Sequence, residues 1–182
     1  MNFTQNKKEM KKYELTDETK VFKGVELHRI KALESFGNVK KGELGGWIES
    51  EKNLSQCGDA WVGGHATVYG HAKVYENATV EGHAKVGENA TVRGDAWVGE
   101  NATVGDNATV YGHATVYENA TVGGDTIVGE NATVGGDTIV GENATVGEYA
   151  TVDGHAEVGG NAKVYGHATI GGNATVRGDA TV

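Results

Sequence analysis

The sequence predicts an all-β chain whose greater part, residues 58–182, is one parallel β-solenoid preceded by a small β-rich cap. Three observations carry this. From Ala60 to Ala180 every sixth residue is Ala, with Thr126 and Thr138 as the two exceptions. From Val62 to Val182 every sixth residue is Val, with Ile170 as the one exception, so 21 copies follow one another without insertion or deletion. Proline is absent from all 182 residues, which suits a ladder in which nearly every backbone N–H is paired.

One copy, such as Ala78-Thr79-Val80-Glu81-Gly82-His83, shows the logic. Side chains alternate along a strand, so Ala78 and Val80 point to one side and Thr79 to the other. A small and a branched aliphatic residue thus face the interior, and three residues turn the chain. A strand this short cannot stand alone and must stack on copies of itself. A helical repeat is excluded, because a period of six with apolar residues two apart matches neither 3.6 nor 3.5 spacing.

The corners follow a second rule. The residue before each Ala or Thr is Asn nine times, His six times, Asp five times and Tyr once, at Tyr149. Asn, Asp and His tolerate positive φ best among non-glycine residues, so this position is expected to be the left-handed one. The residue before it is Gly or an acid, and the acid is followed by Asn in seven of eight copies. Two interchangeable corner types are therefore expected.

The run Val-Gly-Glu-Asn-Ala-Thr-Val resembles the hexapeptide repeat of left-handed β-helices. That resemblance implies a single-stranded left-handed parallel β-helix of triangular section with 18 residues, or three copies, per coil. Residues 60 to 182 would then make about seven coils, a rod about 33 Å long at ~4.8 Å per coil. The stretch Gly42-Glu43-Leu44-Gly45-Gly46-Trp47-Ile48-Glu49-Ser50, with Asn53-Leu54-Ser55-Gln56, is similar to the leader of uncharacterised bacterial and phage hexapeptide-repeat proteins, some labelled transferases.

Ahead of the repeat, residues 1–12 are polar and Lys-rich and read as a disordered tail. Residues 13–57 read as the cap, with a strand over Val25–Leu33, a turn at Gly45-Gly46 leading into a strand, and Trp47, Ile48 and Leu54 covering the first coil. The other end stops in register at Ala180-Thr181-Val182. An open coil edge is a template for another strand, so the expectation is either that the last coil pairs with another subunit or partner or that the chain is cut short there.

Charge divides the chain in the same place. Residues 1–57 hold 11 Lys/Arg against 9 Asp/Glu, and residues 58–182 hold 5 against 16. A repeat with net charge −11 argues against an electrostatic grip on nucleic acid or an anionic membrane surface. The single cysteine, Cys57, excludes an internal disulfide framework. The polar start of the chain lacks the apolar run of a secretory signal or membrane span, which points to the cytoplasm.

No residue stands out as catalytic, cofactor-binding or metal-ligating, so no such site and no cofactor is assigned. His65, His71, His83, His113, His155 and His167 are distributed as alternatives to Asn and Asp at the corners. His65 and His83 are 18 residues apart and fall on adjacent coils, a poor metal pair without a carboxylate or third ligand. Thr occupies the outward position 13 times, and Thr115, Thr133, Thr151 and Thr169 fall in one rank. Such ranks resemble ice-binding faces, although β-propensity and Thr–Thr contacts explain them without that function. Trp61 and Trp97 share an outward column, and Tyr75, Tyr111 and Tyr165 share another; aligned exposed aromatics can mark a subunit or ligand surface.

The resemblance also implies an alternative function. Hexapeptide acyltransferases are trimers with a catalytic histidine and an acyl-CoA groove between subunits, often shaped by loops that interrupt the coils. Residues 60–182 contain no such loop and no nucleophile–base or phosphate-loop motif. The leading expectation is a structural or interaction rod that forms homo-oligomers or end-to-end assemblies through its last coil or outer faces. Identical blocks at Gly123–Val134 and Gly135–Val146 agree with a spacer, because duplicating 12 residues would shift everything downstream by two faces.

Overall fold

The computed structural model describes residues 11–182. Strands β4 (Trp61–Val62) to β23 (Thr175–Val176) are two residues long and recur every six residues. Each pairs in parallel with the third strand after it, as in Trp61↔Thr79↔Trp97↔Thr115. The 18-residue coil thus closes three sides. Face one carries β5, β8, β11, β14, β17, β20 and β23, face two β4 to β22 in steps of three, and face three β6 to β21 likewise. The expected three-sided parallel β-helix is the fold.

Burial follows the six-residue period. Every inward Val from Val62 to Val164 is at most 1% exposed. Thr126 and Thr138 occupy Ala positions and are equally buried. The Thr126 hydroxyl donates to the Gly123 carbonyl. The last coil is more open, with Val176 half-buried and Val182 exposed.

The corners depart from expectation by one residue. Positive φ falls on the position before Asn, Asp or His, at Gly82 (φ 68°) and Glu118 (φ 57°) for example, and this holds in every copy from Gly58 to Gly178. Glycine is the residue with least conformational cost there, and in the other copies an acid takes its place. The Ala two positions later donates back across the turn, as Ala66 does to the Gly63 carbonyl (3.1 Å). The Asn/Asp/His position instead serves through its side chain. Asn89 donates to Asn107 (3.1 Å) and Asn107 to Asp125 (2.7 Å), one coil at a time. On another corner Asn119 donates to Asp137 (2.7 Å), which lies 3.3 Å from His155. The residue set that suggests left-handed backbone instead forms side-chain ladders along the corner.

A pair of substitutions separates the two positions. A Cβ on Gly82 would lie 2.8 Å from the Glu100 nitrogen and 2.9 Å from its carbonyl oxygen. Gly82→Ala is expected to destabilise by about 1–2 kcal/mol, and His83→Ala, at an exposed position, by less than about 0.5 kcal/mol. Urea unfolding followed by circular dichroism measures both.

The cap is a hairpin and a third strand. β1 (Tyr13–Phe22) and β2 (Val25–Ala32) pair antiparallel across Lys23-Gly24, both with positive φ, the two-residue connection that matches strand twist. The sequence pattern revealed β2 but not β1, whose alternation is broken by a register shift between Leu15 and Thr19. β3 (Leu44–Ile48) pairs with β2 on one side and, through Trp47↔Thr67 and Ile48↔Val68, with face one on the other. Gly45 and Gly46 lie within β3 rather than in a turn before it. Their missing side chains leave room for neighbouring backbone, because a Cβ would lie 2.5 Å from the Val62 carbonyl oxygen at Gly45 and 2.6 Å from that of Ala66 at Gly46.

Ile48 and Leu54 enter the core column, Leu54 bridging to Val74. Trp47 remains half-buried on the outer side. Of the expected tail, residues 1–12, the first ten lie outside the described residues. Lys12, at the end of that segment, is buried. Its ammonium donates to the carbonyls of Gly58 (3.0 Å) and Ala60 (2.7 Å) and sits 4.7 Å from the Phe36 ring centroid.

Burial lowers the Lys12 ammonium from 10.5 to about 8, with Asp59, Cys57 and Glu34 pulling weakly the other way. Between about pH 8 and 10.5 the unfolded chain holds a proton that the folded chain has released, so stability rises with pH across that window. Tyr13 acts oppositely. Burial, then Glu51, holds its phenol well above the usual range, so stability is lost once the unfolded chain ionises above about pH 10. Lys12→Met is expected to flatten the rise between pH 8 and 10, measured by urea unfolding at each pH.

Candidate functional site

The aromatic columns are largely structural. Trp61 shares the outward column of face two with Trp97, but it is buried beneath the cap, edge-on to Phe36 with ring centroids 5.5 Å apart, and so is not the exposed ring that the column suggested. Tyr111 and Tyr117 lie over the glycines one coil on, Gly129 and Gly135, where a Cβ would meet the rings at 2.1 and 2.4 Å. Tyr165 lies over Gly147 on the preceding coil. Arg93 stacks on Tyr111, its guanidinium carbon 5.1 Å from the ring centroid. An aromatic residue one coil from a glycine is the signal that reveals this packing in the sequence. The threonine rank Thr115, Thr133, Thr151 and Thr169 stands in register on face two.

All six corner histidines are exposed. His65 and His83 stack in parallel 5.0 Å apart, and His167 stacks on Tyr149 at the same distance. His113 lies 3.5 Å from Asp95 and His155 3.3 Å from Asp137. Among the described residues no group of three His, Cys, Asp or Glu side chains is placed to hold a metal ion.

Two clefts flank the junction of cap and helix. One, of about 540 Å³, lies around Asn53, Gly70 and His71. Two of its polar side chains are engaged by the fold: Glu49 accepts from the Gly70 N–H (2.6 Å), and Asn53 donates to the carbonyls of Gly70 (3.1 Å) and Ala72 (2.9 Å).

The other, of about 520 Å³, opens where the hairpin overhangs face one, lined by Lys20, Phe22, His65, Thr67, His83, Lys85 and Asn101. β1 supplies Lys20 and Phe22. The outward positions of face one supply Thr67 and Lys85, and one corner column supplies His65, His83 and Asn101. Lys20 donates to the Thr67 hydroxyl (3.1 Å) and lies 4.7 Å from the Trp47 ring centroid. Burial lowers its pKa. Phe22 meets Tyr69 edge-on at 5.3 Å, and Lys23 donates to the Tyr69 hydroxyl (3.0 Å). The corner pattern locates the histidines, but no pattern brings Lys20 of β1 to them, because its placement depends on how the hairpin folds back.

Residues 62–179 match the GMPPB C-terminal domain. The chain belongs to that family. The GMPPB C-terminal domain match covers most of the repeat and excludes the cap, so the cleft under the hairpin joins family residues to residues outside the match. A relative is the Escherichia coli (strain K12) protein named "Uncharacterized acetyltransferase YdcK", 38% identical over 61 residues, which are 29% of this chain and 19% of that protein. The match therefore spans about a fifth of the relative's length. Both findings agree with the hexapeptide-repeat resemblance. Among the described residues no helix is long and apolar enough to cross a membrane.

Proposed function

We propose that this chain is a structural or interaction rod that assembles with further copies of itself through its outer faces. The observation that carries the reading is the unbroken regularity of those faces. From Trp61 to Val176 no coil is interrupted by a loop, and the identical blocks Gly123–Val134 and Gly135–Val146 occupy different faces. They place Ile127 on face three and Ile139 on face one. A protein that worked through groups aligned along one side would be disrupted by such a displacement, whereas a spacer keeps its form. Ile127 and Ile139 are 40% and 51% exposed, apolar side chains that contact between copies would cover.

Sedimentation across a concentration series is expected to show reversible growth beyond the monomer, reduced in the Ile127→Thr/Ile139→Thr double variant. A monomer at every concentration would remove the reading. The name of the Escherichia coli relative favours a second one, acyl transfer from CoA. Turnover of acetyl-CoA with an acceptor, lost on replacing a corner histidine, would favour that alternative.

A further inference from the structure

We propose that the cleft beneath the hairpin binds a small anion carrying two or more phosphate groups. The cleft concentrates positive charge in a chain of net charge −9. Lys20 and Lys85 both line it, together with the stacked rings of His65 and His83 and the polar side chains of Thr67 and Asn101. No carboxylate lines it.

The two ammonium groups lack matched counter-charges. Lys20 is partly buried, and its contacts are a hydroxyl and an indole ring. Among the described residues Lys85 makes no ion pair with a carboxylate. A half-desolvated lysine beside a ring and a hydroxyl gains from an incoming anion more than a hydrated one does.

The donor set favours charge density over shape. The guanidinium fork, which grips carboxylate and phosphate alike in fixed geometry, does not line this cleft. Ammonium groups act as compact point charges, so the anion's total charge governs binding, and linked phosphates carry several charges in a small volume. A volume of about 520 Å³ exceeds what one phosphate fills and lies in the range of small-molecule sites. The Phe22 ring on the same wall offers an apolar surface for the remainder of the ligand. This reading is independent of the rod assignment.

Calorimetric titration of the full chain at low salt tests it, with pyrophosphate, ADP, inorganic phosphate and adenosine as probes. Pyrophosphate and ADP are expected to bind at least tenfold more tightly than inorganic phosphate, and adenosine not to bind. Affinity for pyrophosphate is expected to fall at least tenfold in Lys20→Met and in Lys85→Thr, and to weaken as salt rises. Lys85→Thr places at that position the residue found at most outward positions, so the coil remains intact. Lys163→Thr, on face three, is expected to bind as the unmodified chain does. Adenosine binding as well as ADP, silence with pyrophosphate at millimolar concentration, or unchanged affinity in the Lys20→Met/Lys85→Thr double variant would each overturn the proposal.

Discussion

Val110→Asp is expected to abolish cooperative folding of the central coils, whereas Thr109→Asp on the same two-residue strand leaves the fold intact. Val110 is fully buried and stacks in register between Val92 and Val128. Substitution removes about 1.5–3 kcal/mol of side-chain burial. It also places a carboxyl group among valines and alanines that offer it no donor, for a further several kcal/mol. The sum approaches the whole stability of an ordinary domain. Thr109 points outward and remains partly solvated, so its aspartate variant is expected to lose about 1 kcal/mol or less. Urea unfolding and far-ultraviolet circular dichroism distinguish the two. Comparable midpoints for both variants would contradict the dry-core account of the fold.

Gly46→Val has the second large effect, and a different kind. A Cβ there would sit 2.6 Å from the Ala66 carbonyl oxygen and 2.9 Å from Val62 Cγ1, neither at the end of a flexible chain. The strand must move away from face one, breaking Trp47 N–H to Ala66 (2.9 Å) and Glu49 N–H to Val68 (3.1 Å). Because a solenoid's stability is a sum over nearest neighbours, the damage is confined to the junction. The variant is expected to melt in two steps, with cap release several degrees below the helix, and proteolysis at the lower temperature should leave a resistant core beginning near residue 60. A single transition at the original temperature would refute the junction's role.

The fold was legible because its information is periodic. Alanine and valine at constant intervals specify the strands, their inward face and the core, while the 18-residue coil that stacks Val92, Val110 and Val128 is what the resemblance to left-handed β-helices implies. The corners were half legible. Asn, Asp and His suggest left-handed backbone on general tolerance, but the stronger cue is glycine one position earlier, and Glu118 shows that even an acid is held there. Asn89 and Asn107 serve the corner through their amide groups instead. The cleft was illegible for another reason. Lys20 and Lys85 are 65 positions apart and meet only because β1 folds over face one, a tertiary event that leaves no period. The burial of Trp61 leaves no period for the same cause, since Phe36 reaches it from an irregular loop.

The junction at β3 also settles a question of counting. Near-identical copies do not themselves say which is the first, and a chain zipping up from the middle could begin one copy early or late and still bury its valines. Ile48, Leu54 and Val62 are spaced six and then eight residues apart, and that single uneven interval occurs where the hairpin, the glycine pair and Lys12 converge. The cap therefore marks the first rung of the winding, because β3 pairs with face one at Trp47↔Thr67 and Ile48↔Val68.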